Sequence, residues 1–251
     1  MIKSFLQQIL KKIGYQFISV KALNQMYFPE EMHKLKCNFL LKKIFDINQN
    51  IVVFDVGANK GQTAIEIRSI FKNSTIYCFE PFFDTFSSLS KNVSEMQNIY
   101  LYNLALGSSS NKVKAYYNIN NEWNSLVNEL NIELEKNKHK PEVINIISLD
   151  EFAFNNKISK IDFLKIDTEG YEMQVLKGGK DYLRQGLVDV IYFEIGFDKG
   201  DFQHSFYLDV FNFLNDFDYI FSGIFETFYY EKAGINRANA LFVKKQLVIN
   251  I

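Results

Sequence analysis

The stretch Ile51 to Thr63, reading Ile-Val-Val-Phe-Asp-Val-Gly-Ala-Asn-Lys-Gly-Gln-Thr, constrains the fold more than any other part of the chain. Its opening run of β-branched and aromatic residues suits a strand covered on both faces. A turn bracketed by Gly57 and Gly61 follows, and helical spacing begins after it. Glycine is expected at those positions because the backbone must turn sharply and approach a ligand, while the amides opening the next helix face an anionic group.

Spacing separates the ligands such a turn can hold. A dinucleotide fingerprint needs a second glycine where Asn59 stands. A phosphate-binding P-loop needs Gly-Lys-Ser/Thr, whereas Lys60 precedes Gly61 and Gln62 follows it. What remains is Asp55-x-Gly57-x-x-x-Gly61, a strand-end acid with turn amides, which suits a ligand carrying both an ammonium and a carboxylate. The methionine end of S-adenosylmethionine has both. Glu80, at the end of the apolar run Thr75 to Phe79 and followed by Pro81, stands where a doubly wound fold places its ribose-binding carboxylate.

The rest of the chain alternates in the same rhythm. Helices are expected over 62–71 and 82–96, and strands over 75–79 and 99–106, the latter bringing Asn103 and Ala105 to an adenine edge. Extra strands over 112–117 and 142–147 flank a segment, 118–141, rich in Asn, Glu and Lys, within an acceptor-side insertion spanning 108–147. Trp123 and Ser125 there can line an acceptor site or simply pin a loop.

The run Ile161 to Glu172 forms a second chemical stretch. A strand delivers Asp167 and Glu169 to the crevice, and Gly170 allows a turn before a helix over 171–176. Two carboxylates so close in sequence can act as base and orienting partner, or gather a divalent cation. The sequence leaves both open, so a metal on Asp167 and Glu169 is neither required nor excluded. A strand over 187–195 ends near Glu194. A polar loop carrying His204 follows, and then a helix over 206–217 and strands over 219–224 and 240–244, paired as an edge hairpin. The pattern is an α/β domain with a seven-stranded, mostly parallel sheet, helices on both faces and two minor inserted strands.

Ahead of that domain, taken as residues 47–251, residues 1–46 read as a helical extension. Met1 to Val20 carries one apolar stripe opposite Lys3, Lys11 and Lys12, a pattern that can pack on the domain or lie on an anionic membrane. A second helix is expected from Pro29 to Phe45, with His33 on its surface. The formal net charge of −1 argues against a general nucleic-acid binder. Cys37 and Cys78 form neither a metal pattern nor a disulfide framework, which suits a reducing cytoplasm. No run approaches a membrane span.

With Asp55-Val-Gly-Ala-Asn-Lys-Gly-Gln-Thr63, Phe79-Glu-Pro81, Ser148-Leu-Asp150, Leu164-Lys-Ile-Asp-Thr-Glu-Gly-Tyr-Glu172, Val175-Leu-Lys-Gly-Gly179 and Asn239-Ala-Leu-Phe-Val243, the chain resembles the FkbM-type methyltransferase family. The resemblance covers roughly Asn50 to Lys244. It implies a class I (Rossmann-like) methyltransferase fold and methyl transfer from S-adenosylmethionine to an oxygen, often on a sugar of a surface glycan or its precursor. The expected cofactor set is Asp55, Gly57, Ala58, Asn59, Gly61, Gln62, Thr63, Glu80, Pro81, Asn103, Ala105 and Asp167. The candidate base is Asp167, then Glu169, then His204. Competing readings are a nicotinamide-dependent sugar-modifying enzyme, disfavoured by Asn59, and a non-catalytic glycan-assembly adaptor docking through its basic N-terminal helix at the inner face of the membrane.

Overall fold

The computed structural model describes residues 37–118, 139–201, 203–230 and 234–249. The helix expected over 1–20, His33, Trp123 and Ser125 lie outside the described residues. Of the second expected helix, the described part is α1, Asn38–Ile44.

The main sheet is built from β1 (Val52–Val56), β2 (Thr75–Phe79), β3 (Ile99–Tyr102), β7 (Ile161–Ile166), β8 (Val188–Gly196), β10 (Tyr219–Tyr229) and β11 (Ile235–Lys244). Their spatial order is β10, β11, β8, β7, β1, β2, β3, with the two-residue β9 (Ser205–Phe206) on β8. All neighbours among β3, β2, β1, β7 and β8 are parallel, and β11 runs antiparallel to both β8 and β10. The expected mostly parallel sheet and edge hairpin are thus present. The strand order reverses on either side of β1, and a ligand crevice opens above the strand tips at such a reversal.

Alternation along the strands sorts side chains between two cores. Phe54 and Val56 of β1, with Leu164 and Ile166 of β7, face α4 (Leu149–Asn155), α5 (Glu172–Gly178), α6 (Lys180–Arg184) and α7 (Tyr207–Asn215). Val53 and Phe163 face α1, α2 (Gln62–Ile70) and α3 (Phe83–Asn92). Every residue of β7 is buried, as covered parallel strands require. Asp55 and Lys165 share the second face and are direct cross-strand partners.

The strand expected over 99–106 is two strands. β3 ends at Tyr102, and β4 (Ala105–Gly107) leaves for a separate three-stranded sheet, in the order β4, β6, β5. There β6 (His139–Ser148) lies parallel to β4 and antiparallel to β5 (Asn111–Asn118), so both minor strands are found. Asn103 causes the break by turning its amide back on the main sheet, donating to the carbonyls of Glu80 at 3.0 Å and Pro81 at 2.8 Å. The Ser148-Leu-Asp150 motif opens α4: the Ser148 hydroxyl accepts the Glu151 amide as a helix cap.

Candidate functional site

The β1 turn is fixed mostly by contacts within the protein. Gly57 has φ +76, and a Cβ on it would lie 1.8 Å from the Asp167 carbonyl oxygen. Glycine is therefore demanded by the neighbouring strand end β7, where a ligand's approach was expected to be the reason. Gly61, at φ +92, likewise makes room for Leu89. The amides of Gly57 and Ala58 both donate to the Phe79 carbonyl at 3.0 Å, and Asn59, itself at φ +48, donates to Glu80 Oε2 at 3.1 Å. Lys60 donates to Gln62 Oε1 at 3.1 Å. The first-turn amides of Gln62 and Thr63 make no hydrogen bond among the described residues, so the donors offered to a carboxylate come from the start of α2 rather than from the turn.

Glu80 is seated by both neighbouring segments. Besides the Asn59 amide, its Oε1 accepts the Phe82 amide at 3.0 Å. Burial pushes its carboxyl up to about 7, against the pull of those amides. Glu80, Pro81, Phe82, Ala105, Leu106 and Tyr171 line a cleft of about 650 Å³ that reaches Gly57, Asn59, Asp167 and Glu169. A second, wider cleft of about 1280 Å³ shares those four residues and extends over Lys165, Tyr192, Glu194, Glu226, Phe228, Arg237 and Asn239. The crevice therefore has two lobes meeting at Asp167. One is narrow and flanked by Glu80, and the other is broad and charged.

Lys165 holds the floor between them, a role that no motif in the sequence marks. Its Nζ lies 3.4 Å from Asp55 Oδ1 and 3.2 Å from Asp167 Oδ2, and 3.3 Å from the Gly57 carbonyl. Burial opposes the ammonium, but the Asp167 and Asp55 carboxylates outweigh it and the pKa is raised. Asp55 is fully buried, and burial raises its pKa against the pull of Lys165. Asp55 thus serves the site from beneath by anchoring Lys165, whereas Asp167, with 42% of its side chain exposed, faces both lobes.

Glu172 ties two loops together. Its Oε1 accepts from the Thr168 amide and hydroxyl, each at 3.1 Å, and from the Gly170 amide at 2.9 Å. Its Oε2 accepts from Ser205, at 2.8 Å from the hydroxyl and 3.3 Å from the amide. This clamp holds Glu169 at φ +52. Burial, with Asp167 and Glu194 nearby, pushes the Glu169 carboxyl up to about 7.

His204 is buried beside it. Its Nδ1 is 2.6 Å from Asp201 Oδ2 and its Nε2 is 3.2 Å from Glu194 Oε2, while Arg237 Nε sits 3.0 Å from Glu194 Oε1. Burial lowers the His204 pKa, yet Glu194 and Asp201 carry it up to about 9. Glu169, Glu194 and His204 each offer a ligand atom within 4.8 Å of the others. The converging acids are thus Glu169 and Glu194, because Asp167 is turned to Lys165.

The family described as the methyltransferase FkbM domain matches residues 55–221. "Methyltransferase 1" of Beauveria bassiana (strain ARSEF 2860) is 25% identical over 194 residues, 67% of this chain and 77% of that protein. Similar solved structures include precorrin-6y C5,15-methyltransferase from Geobacter metallireducens GS-15, with a TM-score of 0.46 and 11% identity over 83% of this chain and 87% of that one. Aeropyrum pernix fibrillarin with bound S-adenosyl-L-methionine has a TM-score of 0.47 and 14% identity, over 82% and 73%.

Proposed function

The chain belongs to the FkbM methyltransferase family, and from that premise we propose that this S-adenosylmethionine-dependent methyltransferase acts on a hydroxyl of a neutral, polyhydroxylated acceptor such as a sugar of a glycan or its precursor. The observation that carries the acceptor reading is the broad lobe. Glu66, Asp167, Glu169, Glu194 and Glu226 face it with Lys165 and Arg237, and the amides of Asn38 and Asn239 and the ring of Phe228 complete its wall. Carboxylates and amides accept and donate to hydroxyls, and an aromatic face packs on a sugar ring. The same excess of carboxylates repels a phosphate backbone, which disfavours nucleic acid as acceptor.

The narrow lobe fits the cofactor. Glu80 presents a carboxylate to a ribose diol, and Leu106, Phe82 and Tyr171 offer apolar walls to an adenine. Gln62 and Thr63, on the broad-lobe side of the shared Asn59, offer their amides to the carboxylate of a methionine end that extends there from the narrow lobe. When bound, S-adenosylmethionine supplies an already activated methyl group. The chain's own work is to hold the acceptor oxygen in line and to take its proton, which Asp167 does at the junction of the lobes, oriented by Lys165.

No helix among the described residues is long and apolar enough to cross a membrane. The acceptor reading is tested by incubating the protein with the methyl donor and a panel of sugars, nucleotide sugars and short RNAs, and following S-adenosylhomocysteine release. Release that depends on RNA and on none of the sugars would overturn it.

A further inference from the structure

From the convergence of Glu169, Glu194 and His204, we infer a site for a divalent cation of the first transition row, such as Mn²⁺ or Zn²⁺, in the wall of the broad lobe. The imidazole and carboxylate donors suit these ions better than Mg²⁺ or Ca²⁺, which favour all-oxygen shells.

The contact between His204 and Glu194 is the first observation. Nε2 lies 3.2 Å from Glu194 Oε2, yet the geometry makes no hydrogen bond, although His204 is only 6% exposed. A buried imidazole nitrogen at this distance from a carboxylate oxygen has the spacing of two ligands of one ion. Atoms each bonded at about 2.0–2.2 Å to one ion lie roughly 3–3.4 Å apart.

The second observation is what holds the ligands from behind. Nδ1 of His204 contacts Asp201 Oδ2 at 2.6 Å, the carboxylate–imidazole pairing that orients a metal-bound histidine. Arg237 Nε pairs electrostatically with Glu194 Oε1 at 3.0 Å, on the oxygen opposite to the one nearest His204. Glu169 is fixed in a left-handed backbone conformation by the Glu172 clamp next to it. Each ligand is thus preset by a group that is not itself a ligand. Binding exchanges the Nε2 proton for the cation, and the remaining positions open toward the lobe, where one takes an acceptor hydroxyl. That last role rests on the acceptor reading above, but the site itself does not.

The test uses the full chain and Mn²⁺ alone, with neither methyl donor nor acceptor, followed by the loss of the free-ion paramagnetic resonance signal. One ion bound per chain is expected. Glu194→Gln and His204→Gln should weaken binding at least tenfold, and Asp201→Asn by about ten- to hundredfold. S-adenosylhomocysteine binding and circular dichroism report whether each variant folds. Should a buried variant fail to fold, Glu169→Gln on the partly exposed loop gives the same comparison. No bound ion at millimolar Mn²⁺, or affinity unchanged in folded variants, overturns the site. Because no acceptor is present, that result leaves the methyl-transfer reading intact, and a failed acceptor screen leaves the cation site intact.

Discussion

Glu172 Oε2 accepts the hydroxyl of Ser205 at 2.8 Å, joining the first residue of α5 to β9 across 33 positions of sequence. Both groups are buried, so Ser205→Ala leaves a carboxylate oxygen with the weaker Ser205 amide contact alone. The loss should be about 1–3 kcal/mol, a melting temperature lower by several degrees. Turnover should fall with it, because the same clamp sets Glu169. Unchanged melting in a calorimetric scan would show that the bond contributes nothing net.

Lys165 lies between Asp55 and Asp167. Lys165→Met keeps much of the stem but leaves Asp55, which is fully buried, without its cation. Breaking a buried pair from one side costs about 3–5 kcal/mol. Chemical denaturation should show that loss, and Asp55→Asn combined with Lys165→Met should recover part of it. A double variant no more stable than the single one would mean the pair is not what the lysine serves.

Asp167→Asn preserves volume and removes the basic oxygen at the junction of the lobes. Turnover should fall by about a hundredfold or more, while S-adenosylhomocysteine affinity measured by calorimetry changes far less. Full turnover would move the proton-accepting role to Glu169 or His204.

Glu80 gives a pH signature. Its carboxyl is pushed up to about 7 in the folded protein from an ordinary 4.5. A raised acid favours folding while protonated, so Glu80's own contribution to stability, roughly 3 kcal/mol, is lost as pH rises from about 4.5 through 7, in the same window as that of Glu169. Cofactor binding runs the other way, since the ionised carboxylate accepts both ribose hydroxyls, and affinity should rise between about pH 6 and 8. Glu80→Gln should remove Glu80's share of the stability profile while that of Glu169 stays, flatten the binding profile, and weaken binding by about 1.5–3 kcal/mol. Calorimetric titrations of both proteins across that range give the answer, and parallel pH profiles would exclude Glu80 as the source.

The sheet was legible because parallel strands covered on both faces must be apolar throughout, so β1, β2, β7 and β8 stand out as runs. Strand-end acids fell into the crevice for the same topological reason. The partners of Gly57 and Asp55 could not be read, because a glycine required by a carbonyl from a strand more than a hundred positions later looks like one required by a ligand. Lys165 was hidden by its setting, since one cation in an apolar strand gives no hint of the two acids it faces. The sequence marks His204 as a third candidate base on a polar loop but gives no sign of its partners. Its placement depends on Glu194 and Asp201, which meet it only after β8 and the following turn are in register. The split at Asn103 was missed because β-forming residues continue across it, while the cause is a side-chain amide bonded 22 and 23 positions back.

In the second sheet, Asn118 stands directly opposite His139 on antiparallel strands. The chain thus leaves and returns through neighbouring doors, and the wall behind them does not register how long the excursion between them is. Doubling the length of a flexible connection adds only about 0.6 kcal/mol of closure entropy. A segment of any length spliced between those two residues would meet the same paired ends, with β5 and β6 still packing Ala115, Ile144 and Ile146 against Phe82, whose amide seats Glu80.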